Sequence, residues 1–380
     1  MGDAFEIPGG ATSDAALKRR LRGGRYALIG AGQLGEMALD LWPDGLPRPE
    51  FLLDSHRTGT LRDVEIRDLP SHRPVPGVVY LASAFKVPAR DIRAFFEQVG
   101  QTEILTAYDL LEEYTPDTFT NGWRNLSAPP EIRAKVARLP EAYADAASRR
   151  ICEAVSAWRY ERRLVSDHPI GPEDGKYDLS LRGRGGTHYR CVYDCGSYDL
   201  SLPDSLARSG VTFDHFLAFE PDPARFAICA ARLPAWEAAT GAVFALRREA
   251  VSDRDGTATF MANGLFSARL VADGVVHPAL MPVETCTLSR LDEALFGQTA
   301  TGDGRVLIKL HVESAEFPAL QGAERLLRTA RCDLLVNLSH DEISYREVPP
   351  YLAALGCFDI TLHAHAVFGE GLTLFARHRL

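Results

Sequence analysis

Two acidic residues flank a glycine in the segment VYDCGSYDL, residues 192–200. Asp194 stands before Gly196, and Asp199 follows it. A glycine lets the backbone approach a bound molecule closely, and the two carboxylates would attract a cation and repel a phosphate. A dinucleotide instead requires free backbone N–H groups at a helix N-terminus, without negative side chains beside them. The segment therefore indicates a cationic ligand.

A further acid, Glu220, ends the next predicted strand in the motif AFEP. In open α/β sheets, ligands bind outside the carboxyl ends of the strands, and an acid at this place can accept both hydroxyls of a ribose. S-adenosylmethionine combines an adenosine ribose with a sulfonium and an ammonium group. We therefore predict S-adenosylmethionine as the cofactor of the segment that contains Asp194 and Glu220.

Two histidines and a glutamate end two later predicted strands, RVLIKLHVE and CDLLVNLSH. His311 and Glu313 share one face of the first strand, and His340 ends the second. An imidazole titrates near ~6.5, close to working pH, which suits a general base. We therefore predict His311, Glu313 and His340 as the catalytic residues, with His311 as the base.

The same three side chains could instead hold a divalent metal, because two imidazoles and a carboxylate are a common ligand set. Histidine and glutamate at strand ends more often form a hydrogen-bonded pair, so we assign no metal to them. Glu316, at the start of the following predicted helix, has two interpretations that the sequence leaves open. It either stabilises the helix N-terminus or belongs to the site.

Strands and helices alternate from Tyr189 to the end of the chain, which predicts a parallel sheet. Seven predicted strands carry the site residues at their ends. The last two strands are joined by the short segment FGEG, which leaves no room for a crossover helix, so they form a hairpin. The predicted fold class is α/β, a Rossmann-like sheet with an antiparallel last strand, preceded by a smaller Rossmann-like α/β domain.

Five sequence blocks in residues 189–380 resemble the FkbM family of S-adenosylmethionine-dependent methyltransferases. In chain order they are VYDCGSYD, AFEPDPARF, AVSDRDGTATF, CTLSRLDE and IKLHVESAEFPALQGAERLL. The resemblance implies a class I methyltransferase fold and methyl transfer to a hydroxyl oxygen of a sugar, a glycan or a secondary metabolite.

The resemblance also implies which residues bind the cofactor. Those on the methionine side lie in or beside the glycine turn: Asp194, Gly196, Tyr198 and Asp199. Those on the adenosine side follow the second and third strands: Glu220 for the ribose, with Asp222 and Asp253 near the adenosine.

The chain departs from the family pattern at several positions. Leu200 and Ser201 stand where a related branch has a second glycine and an acid. His311 replaces the aspartate that usually ends the fourth strand, and Asn337 stands where a glutamate is frequent. These departures motivate a second interpretation, in which the chain is a methyltransferase-like binding protein without catalytic activity.

An upstream motif, GAGQLG, contains Gly30, Gly32 and Gly35 between a predicted strand and helix, and Asp54 ends the next strand. This pattern is typical of dinucleotide binding. It would allow NAD(P) or a nucleotide sugar to bind, so an NAD-dependent oxidoreductase is a third interpretation. However, only about two further strands follow Asp54, without a second mononucleotide-binding half. We favour a scaffold or specificity module.

Composition divides the chain into four segments. Turn-rich and interrupted helical sequence separates two α/β regions, and a stretch rich in Gly, Pro, Asp and Arg before residue 187 suggests a flap beside the substrate. The predicted segments are an N-terminal tail 1–22, a small Rossmann-like domain 23–114, a helical linker and flap 115–186, and a methyltransferase domain 187–380.

The charge pattern argues against nucleic-acid and membrane partners. The chain has 42 basic and 51 acidic residues and a formal net charge of −9, with the basic residues scattered. No apolar run is long enough to span a bilayer, the N-terminus lacks the apolar stretch of a signal peptide, and the seven cysteines show no paired spacing. We predict a cytoplasmic protein with reduced thiols and a small hydroxylated substrate, compatible with a homodimer.

Overall fold

The computed structural model describes residues 14–22, 24–114, 122–165, 168–171, 177–264, 268–272, 274–296 and 304–379. The contacts divide the chain into two compact units. The first unit comprises Met1–Pro140, Arg149–Ile170 and Ala364–Glu370, and the second comprises Glu141–Ser148, Gly171–His363 and Gly371–Leu380. Much of the segment for which the sequence predicts a linker therefore groups with the first unit.

The first unit is built on a five-stranded sheet. Its strands are β1 Arg25–Ile29, β2 Phe51–Asp54, β3 Gly59–Leu61, β4 Val64–Asp68 and β5 Val78–Ala82. The helices up to residue 161 are α1 Asp14–Leu21, α2 Gln33–Asp40, α3 Ala89–Gln98, α4 Ala107–Tyr114, α5 Pro130–Arg138, a short 3-10 helix Leu139–Ala142, and α6 Ala146–Glu161.

The first sheet has the strand order β3-β4-β2-β1-β5, and every neighbouring pair except β3 with β4 is parallel. The apolar strands β1 and β5 are buried along almost their whole length, as expected for central strands that are covered on both faces. The smaller Rossmann-like α/β unit that the sequence predicts is confirmed.

Packing explains two of the three glycines in the upstream motif. Gly30 has a φ of +111°, which side chains rarely adopt. A Cβ atom on Gly35 would lie 2.3 Å from the carbonyl oxygen of Gly30, so the helix approaches the strand too closely for any side chain. Gly32, in contrast, faces open space. The motif is thus needed for the close approach of α2 to β1, whatever else it does.

The acid that follows this motif is bound by its own chain. The carboxylate of Asp54 accepts hydrogen bonds from the backbone N–H groups of Ala31 at 2.8 Å, His56 at 2.8 Å and Arg57 at 3.0 Å. Burial raises the pKa of Asp54, but these N–H groups outweigh burial and lower it below its usual value. The arrangement does not support an NAD(P) or nucleotide-sugar site at Gly30, Gly32, Gly35 and Asp54.

We expect Gly35→Ala and Gly32→Ala to affect stability differently. The methyl group at position 35 collides with the backbone, which should lower the free energy of unfolding by about 1–3 kcal/mol. At position 32, an N-cap with a φ of −79°, alanine should cost less than about 1 kcal/mol. Urea unfolding of both variants measures the difference, and equal destabilisation would contradict the packing role.

The second unit contains two sheets. Its strands are β6 His188–Cys195, β7 Thr212–Phe219, β8 Val243–Arg247, β9 Glu249–Val251, β10 Gly256–Met261, β11 Arg269–Leu270, β12 Leu280–Cys286, β13 Arg305–Leu310, β14 Cys332–Asn337, β15 Phe358–His363 and β16 Thr373–His378. Its helices after α6 are α7 Asp178–Leu181, α8 Leu202–Arg208, α9 Pro223–Thr240, α10 Leu288–Phe296, α11 Glu316–Gly322, α12 Glu324–Thr329 and α13 Glu342–Leu355.

The larger sheet has the strand order β15-β16-β14-β13-β6-β7-β8. The pairs among β14, β13, β6, β7 and β8 are parallel, and β16 pairs antiparallel with both β14 and β15. The seven-stranded Rossmann-like sheet and its terminal hairpin are confirmed. The strand order reverses between β6 and β13, and a ligand site is expected at such a switch point.

One predicted strand is in fact two. The sequence AVFALRREAV, predicted as a single strand, forms β8 in the large sheet and β9 in a second sheet of order β11-β10-β12-β9. The chain changes sheets at Arg248, which lies between the two strands. The periodicity of side chains is the same in both strands, so it does not reveal the change of partner. Among the described residues, no helix is long and apolar enough to cross a membrane.

Candidate functional site

A tight turn follows β6 at the edge where the strand order reverses. Gly196 has a φ of +75°, and a Cβ atom there would lie 2.0 Å from the carbonyl oxygen of His311, so only glycine fits. The backbone N–H groups of Gly196 and Ser197 both donate to the carbonyl oxygen of Phe219, at 2.9 and 3.0 Å. The turn is therefore fixed between the end of β7 and the residue that follows β13.

At Leu200, where a related branch of the family has a glycine, the backbone keeps the left-handed conformation that favours glycine. Leu200 and Tyr198 both have a φ of +57°, in the left-handed region. This conformation costs a residue other than glycine about 1–2 kcal/mol. The side chain of Leu200 is completely buried in the core, which contributes about 1.5–3 kcal/mol and offsets the strain. Leucine is therefore compatible with a turn that a glycine would otherwise form.

A buried ion pair lies next to the turn. Asp194 is 1% exposed, and its Oδ1 lies 2.9 Å from Nζ of Lys309 on β13. The ammonium also donates to the carbonyl oxygens of Cys195 and Gly196. Burial lowers the pKa of Lys309, but Asp194 outweighs burial and raises it well above its usual value. The second oxygen of Asp194, Oδ2, is buried without a hydrogen-bond partner among the described residues.

Glu220, directly after β7, holds the backbone around the turn. Its Oε2 accepts the N–H of Tyr198 at 2.7 Å, and its Oε1 accepts the N–H of Asp222 at 3.0 Å. Burial raises the pKa of Glu220 above its usual value, although both N–H groups oppose this effect. The carboxylate therefore ties β7 to the turn, and each oxygen keeps a lone pair for a further hydrogen bond.

Asp222 is the N-cap of α9 rather than an open acid. One oxygen accepts the backbone N–H groups of Ala224 at 2.9 Å and Arg225 at 3.2 Å, and the other accepts the N–H of Gly264 at 2.8 Å. The side chain is almost completely buried. The carboxylate that the resemblance assigns to the adenosine thus has a structural role at the start of the helix.

The remaining cofactor candidates are accessible. Tyr198 is 37% exposed, and the guanidinium of Arg225 lies 3.9 Å from its ring centre. Asp199 forms an ion pair with Arg232 at 3.6 Å, and Asp253 is exposed in the turn after β9. The predicted cofactor residues therefore divide into buried anchors and accessible side chains.

The structure brings His311, Glu313 and His340 together. Oε1 of Glu313 lies 2.9 Å from Nε2 of His340 and 3.5 Å from Nε2 of His311. Contrary to the strand alternation predicted from sequence, β13 ends at Leu310, before the first two residues. Glu313 and Ser314 have φ values of +48° and +80°, so a turn rather than a strand positions Glu313.

His340 lies between two carboxylates. In addition to Glu313, Oε1 of Glu316 lies 2.8 Å from its Nδ1 and also accepts the N–H of Val312 at 3.0 Å. Burial lowers the pKa of His340, but the carboxylates of Glu313 and Glu316 outweigh burial and raise it to about 10. In the absence of a metal, His340 is therefore an imidazolium at neutral pH that positions Glu313, and it is not a base.

His311 is held at both ring nitrogens. Nδ1 lies 3.1 Å from the hydroxyl of Tyr177, and Nε2 lies 3.3 Å from Nδ2 of Asn337. Oδ1 of Asn337 accepts the N–H and the hydroxyl of Ser339, so the amide NH₂ group faces His311. This hydrogen-bond network assigns the proton to Nδ1, and the lone pair of Nε2 accepts the amide N–H of Asn337. Nε2 of the half-buried His311 is thus the basic atom of the cluster.

Sequence reasoning missed two contributors and left a third open. A lysine inside the apolar strand IKL was a usable signal for Lys309, because a buried ammonium needs a partner. Tyr177 follows a stretch of loop composition and gives no such signal. For Glu316, the structure places the carboxylate against His340, so it belongs to the site.

We expect stability to fall as the pH rises from about 7 to 10 in the presence of EDTA. The pKa of His340 is about 10 in the folded chain and ~6.5 when unfolded, so between these values only the folded state keeps the proton. The stabilisation is complete below ~6.5 and is lost as the pH passes 10. Urea unfolding at several pH values measures this slope. His340→Gln should flatten it, and an unchanged slope would refute the assigned imidazolium.

Comparison with known proteins gives the fold. No protein-family model and no curated protein matches the chain. The crystal structure of the methyltransferase FkbM from Methylobacillus flagellatus KT is similar over 98% of this chain and 94% of that chain, with a TM-score of 0.60 and 15% identity. The N-terminal domain of human METTL16 in complex with SAH matches 67% of this chain and 95% of that chain at 12% identity, with a TM-score of only 0.29. The chain has an FkbM-like methyltransferase fold.

Proposed function

We propose that the second unit binds S-adenosylmethionine at the carboxyl ends of β6 and β7 and transfers its methyl group to a hydroxyl oxygen. The acceptor class that we propose is a small sugar, a glycan or a secondary metabolite. The observation that carries the proposal is the buried, unpartnered Oδ2 of Asp194 at the glycine turn, near the carboxylate of Glu220. The likeness of the fold to a methyltransferase supports it.

Charge favours this cofactor over a dinucleotide. Asp194 and Asp199 each pair with a basic residue, Lys309 and Arg232. However, Oδ2 of Asp194 has no hydrogen-bond partner among the described residues and would attract an ammonium or sulfonium group rather than a pyrophosphate. The N–H groups of Gly196 and Ser197, which a phosphate would require, already donate to the carbonyl oxygen of Phe219. The turn therefore offers acceptors to a cation and few donors to an anion.

The proposed chemistry is a direct displacement. Bound S-adenosylmethionine would supply an electrophilic methyl group to the acceptor oxygen, with S-adenosylhomocysteine as the leaving group that keeps the electron pair of the broken C–S bond. The hydroxyl proton passes to Nε2 of His311. Glu313, 3.5 Å away, would stabilise the resulting imidazolium, and His340 would hold Glu313 in place.

Calorimetric titration with S-adenosylhomocysteine and with NAD tests the cofactor. We expect micromolar binding of the first and none of the second. Glu220→Gln preserves the size of a buried side chain and should weaken binding about tenfold or more, because an amide accepts at only one of its two polar atoms. Gly32→Ala in the upstream motif is the control and should leave the affinity for S-adenosylhomocysteine unchanged. Tight binding of NAD alone would refute the proposal.

Replacing His311 tests the assignment of the base. His311→Ala should lower turnover by about 10²- to 10⁴-fold, the usual contribution of a general base, with the affinity for S-adenosylhomocysteine nearly unchanged. His188→Ala is the control, because His188 is an exposed histidine whose Nε2 lies 3.1 Å from the carboxylate of Asp214. Methyl transfer from labelled S-adenosylmethionine to a panel of hydroxylated acceptors gives the rates. Equal rates for both variants would remove His311 from the mechanism.

A further inference from the structure

We propose that His311, Glu313 and His340 bind one divalent first-row transition metal ion. The three potential ligand atoms are Nε2 of His311, Oε1 of Glu313 and Nε2 of His340, and all lie within 4.8 Å of one another. Two imidazoles and one carboxylate suit Mn²⁺, Fe²⁺, Co²⁺, Ni²⁺ or Zn²⁺, whereas Mg²⁺ and Ca²⁺ prefer oxygen ligands.

The two spacings from the carboxylate oxygen of Glu313 fit a single ion. Metal–ligand bonds of about 2.0–2.2 Å at angles between octahedral and tetrahedral place neighbouring ligand atoms about 2.9–3.5 Å apart. Oε1 of Glu313 lies 2.9 Å from Nε2 of His340 and 3.5 Å from Nε2 of His311. The carboxylate oxygen therefore stands between the two imidazoles at distances that a metal would impose, and three ligands leave coordination positions open for substrate.

The outer nitrogen of each imidazole already has the partner that a metal ligand needs. Nδ1 of His340 lies 2.8 Å from Oε1 of Glu316, and Nδ1 of His311 lies 3.1 Å from the hydroxyl of Tyr177. Metal-binding histidines almost always use the second nitrogen in this way, since the hydrogen bond fixes the ring orientation and the tautomer. Both rings are therefore oriented with Nε2 toward Glu313.

Unpartnered buried oxygens around the cluster favour additional positive charge. Oε2 of Glu316 and Oδ2 of Asp341 are buried without hydrogen-bond partners among the described residues. Glu313 and Glu316 flank His340, and the carboxylate of Asp341 interacts electrostatically with both Glu316 and His340. A divalent cation would bring more positive charge to these carboxylates than a single imidazolium does. The attraction between opposite charges is stronger in a low-dielectric environment.

The metal would change the role of His311, and this consequence rests on the proposed function. Nε2 of His311 cannot coordinate an ion and accept a proton at the same time, and coordination also displaces its hydrogen bond with Asn337. In the metal-bound enzyme, the acceptor hydroxyl would bind the ion at an open position, and its lowered pKa would release the proton to water.

Titration with Co²⁺ alone tests the site. Tag-free protein is stripped with EDTA, dialysed, and titrated while calorimetric heat and visible absorption are recorded. We expect one Co²⁺ per chain, with an affinity at least tenfold lower in His311→Ala and in Glu313→Gln. Glu316→Gln, which removes the negative charge of the partner of Nδ1 while its amide oxygen can still accept the N–H of Val312, should lower the affinity about 10- to 100-fold. His188→Ala, which removes an exposed histidine paired with Asp214, is the control and should leave Co²⁺ binding unchanged.

Two outcomes would overturn the metal site. One is the absence of stoichiometric Co²⁺ binding to the unmodified protein. The other is an unchanged affinity for Co²⁺ in both His311→Ala and Glu313→Gln. This second outcome includes the case in which thiolate absorption shows that free cysteines bind the ion. S-adenosylhomocysteine binding to the same samples separates this inference from the proposed function, because each can fail while the other is retained.

Discussion

The ion pair between the buried side chains of Lys309 and Asp194 is the interaction on which the glycine turn and the histidine cluster both depend. Lys309 lies on the neighbouring strand β13 and joins the carboxylate of Asp194 to the carbonyl oxygens of Cys195, the last residue of β6, and Gly196, the first residue after it. Either charge without the other would be uncompensated in the core, at a cost of about 3–5 kcal/mol. The pair therefore fixes the register of the two central strands at the edge where the glycine turn begins.

The backbone of the glycine turn is in direct contact with the backbone of His311, a member of the histidine cluster. The carbonyl oxygen of His311 occupies the space that a side chain on Gly196 would need, and the N–H of His311 donates to Cys195 at 3.1 Å. A displacement at a methyl group requires donor and acceptor to be held within about 3–3.5 Å and in line. In the proposed function, the adjacent strand ends at the switch point would hold donor and acceptor in this way.

His311 and Asn337, two departures from the family pattern, are hydrogen-bonded to each other in this chain. Where the FkbM family pattern has an aspartate and frequently a glutamate, this chain has His311 and Asn337, whose side chains lie 3.3 Å apart. Two acids at this distance would repel each other unless they share a proton or a cation, whereas an imidazole and an amide form a neutral hydrogen bond. The substitutions therefore compensate each other electrostatically, and they give no reason to regard the site as inactive.

The sequence by itself determined the seven strands of the large sheet, its hairpin and the residues at the strand ends, because apolar runs, glycine and connection length act locally. It also selected His311, Glu313 and His340. Only the tertiary structure decided which charged side chains already have partners: Asp54 and Asp222 accept hydrogen bonds from their own backbone, and His340, without a metal, is cationic between two carboxylates. Burial and charge pairing depend on residues that are distant along the chain and adjacent in the sheet, and spacing in sequence does not encode that proximity.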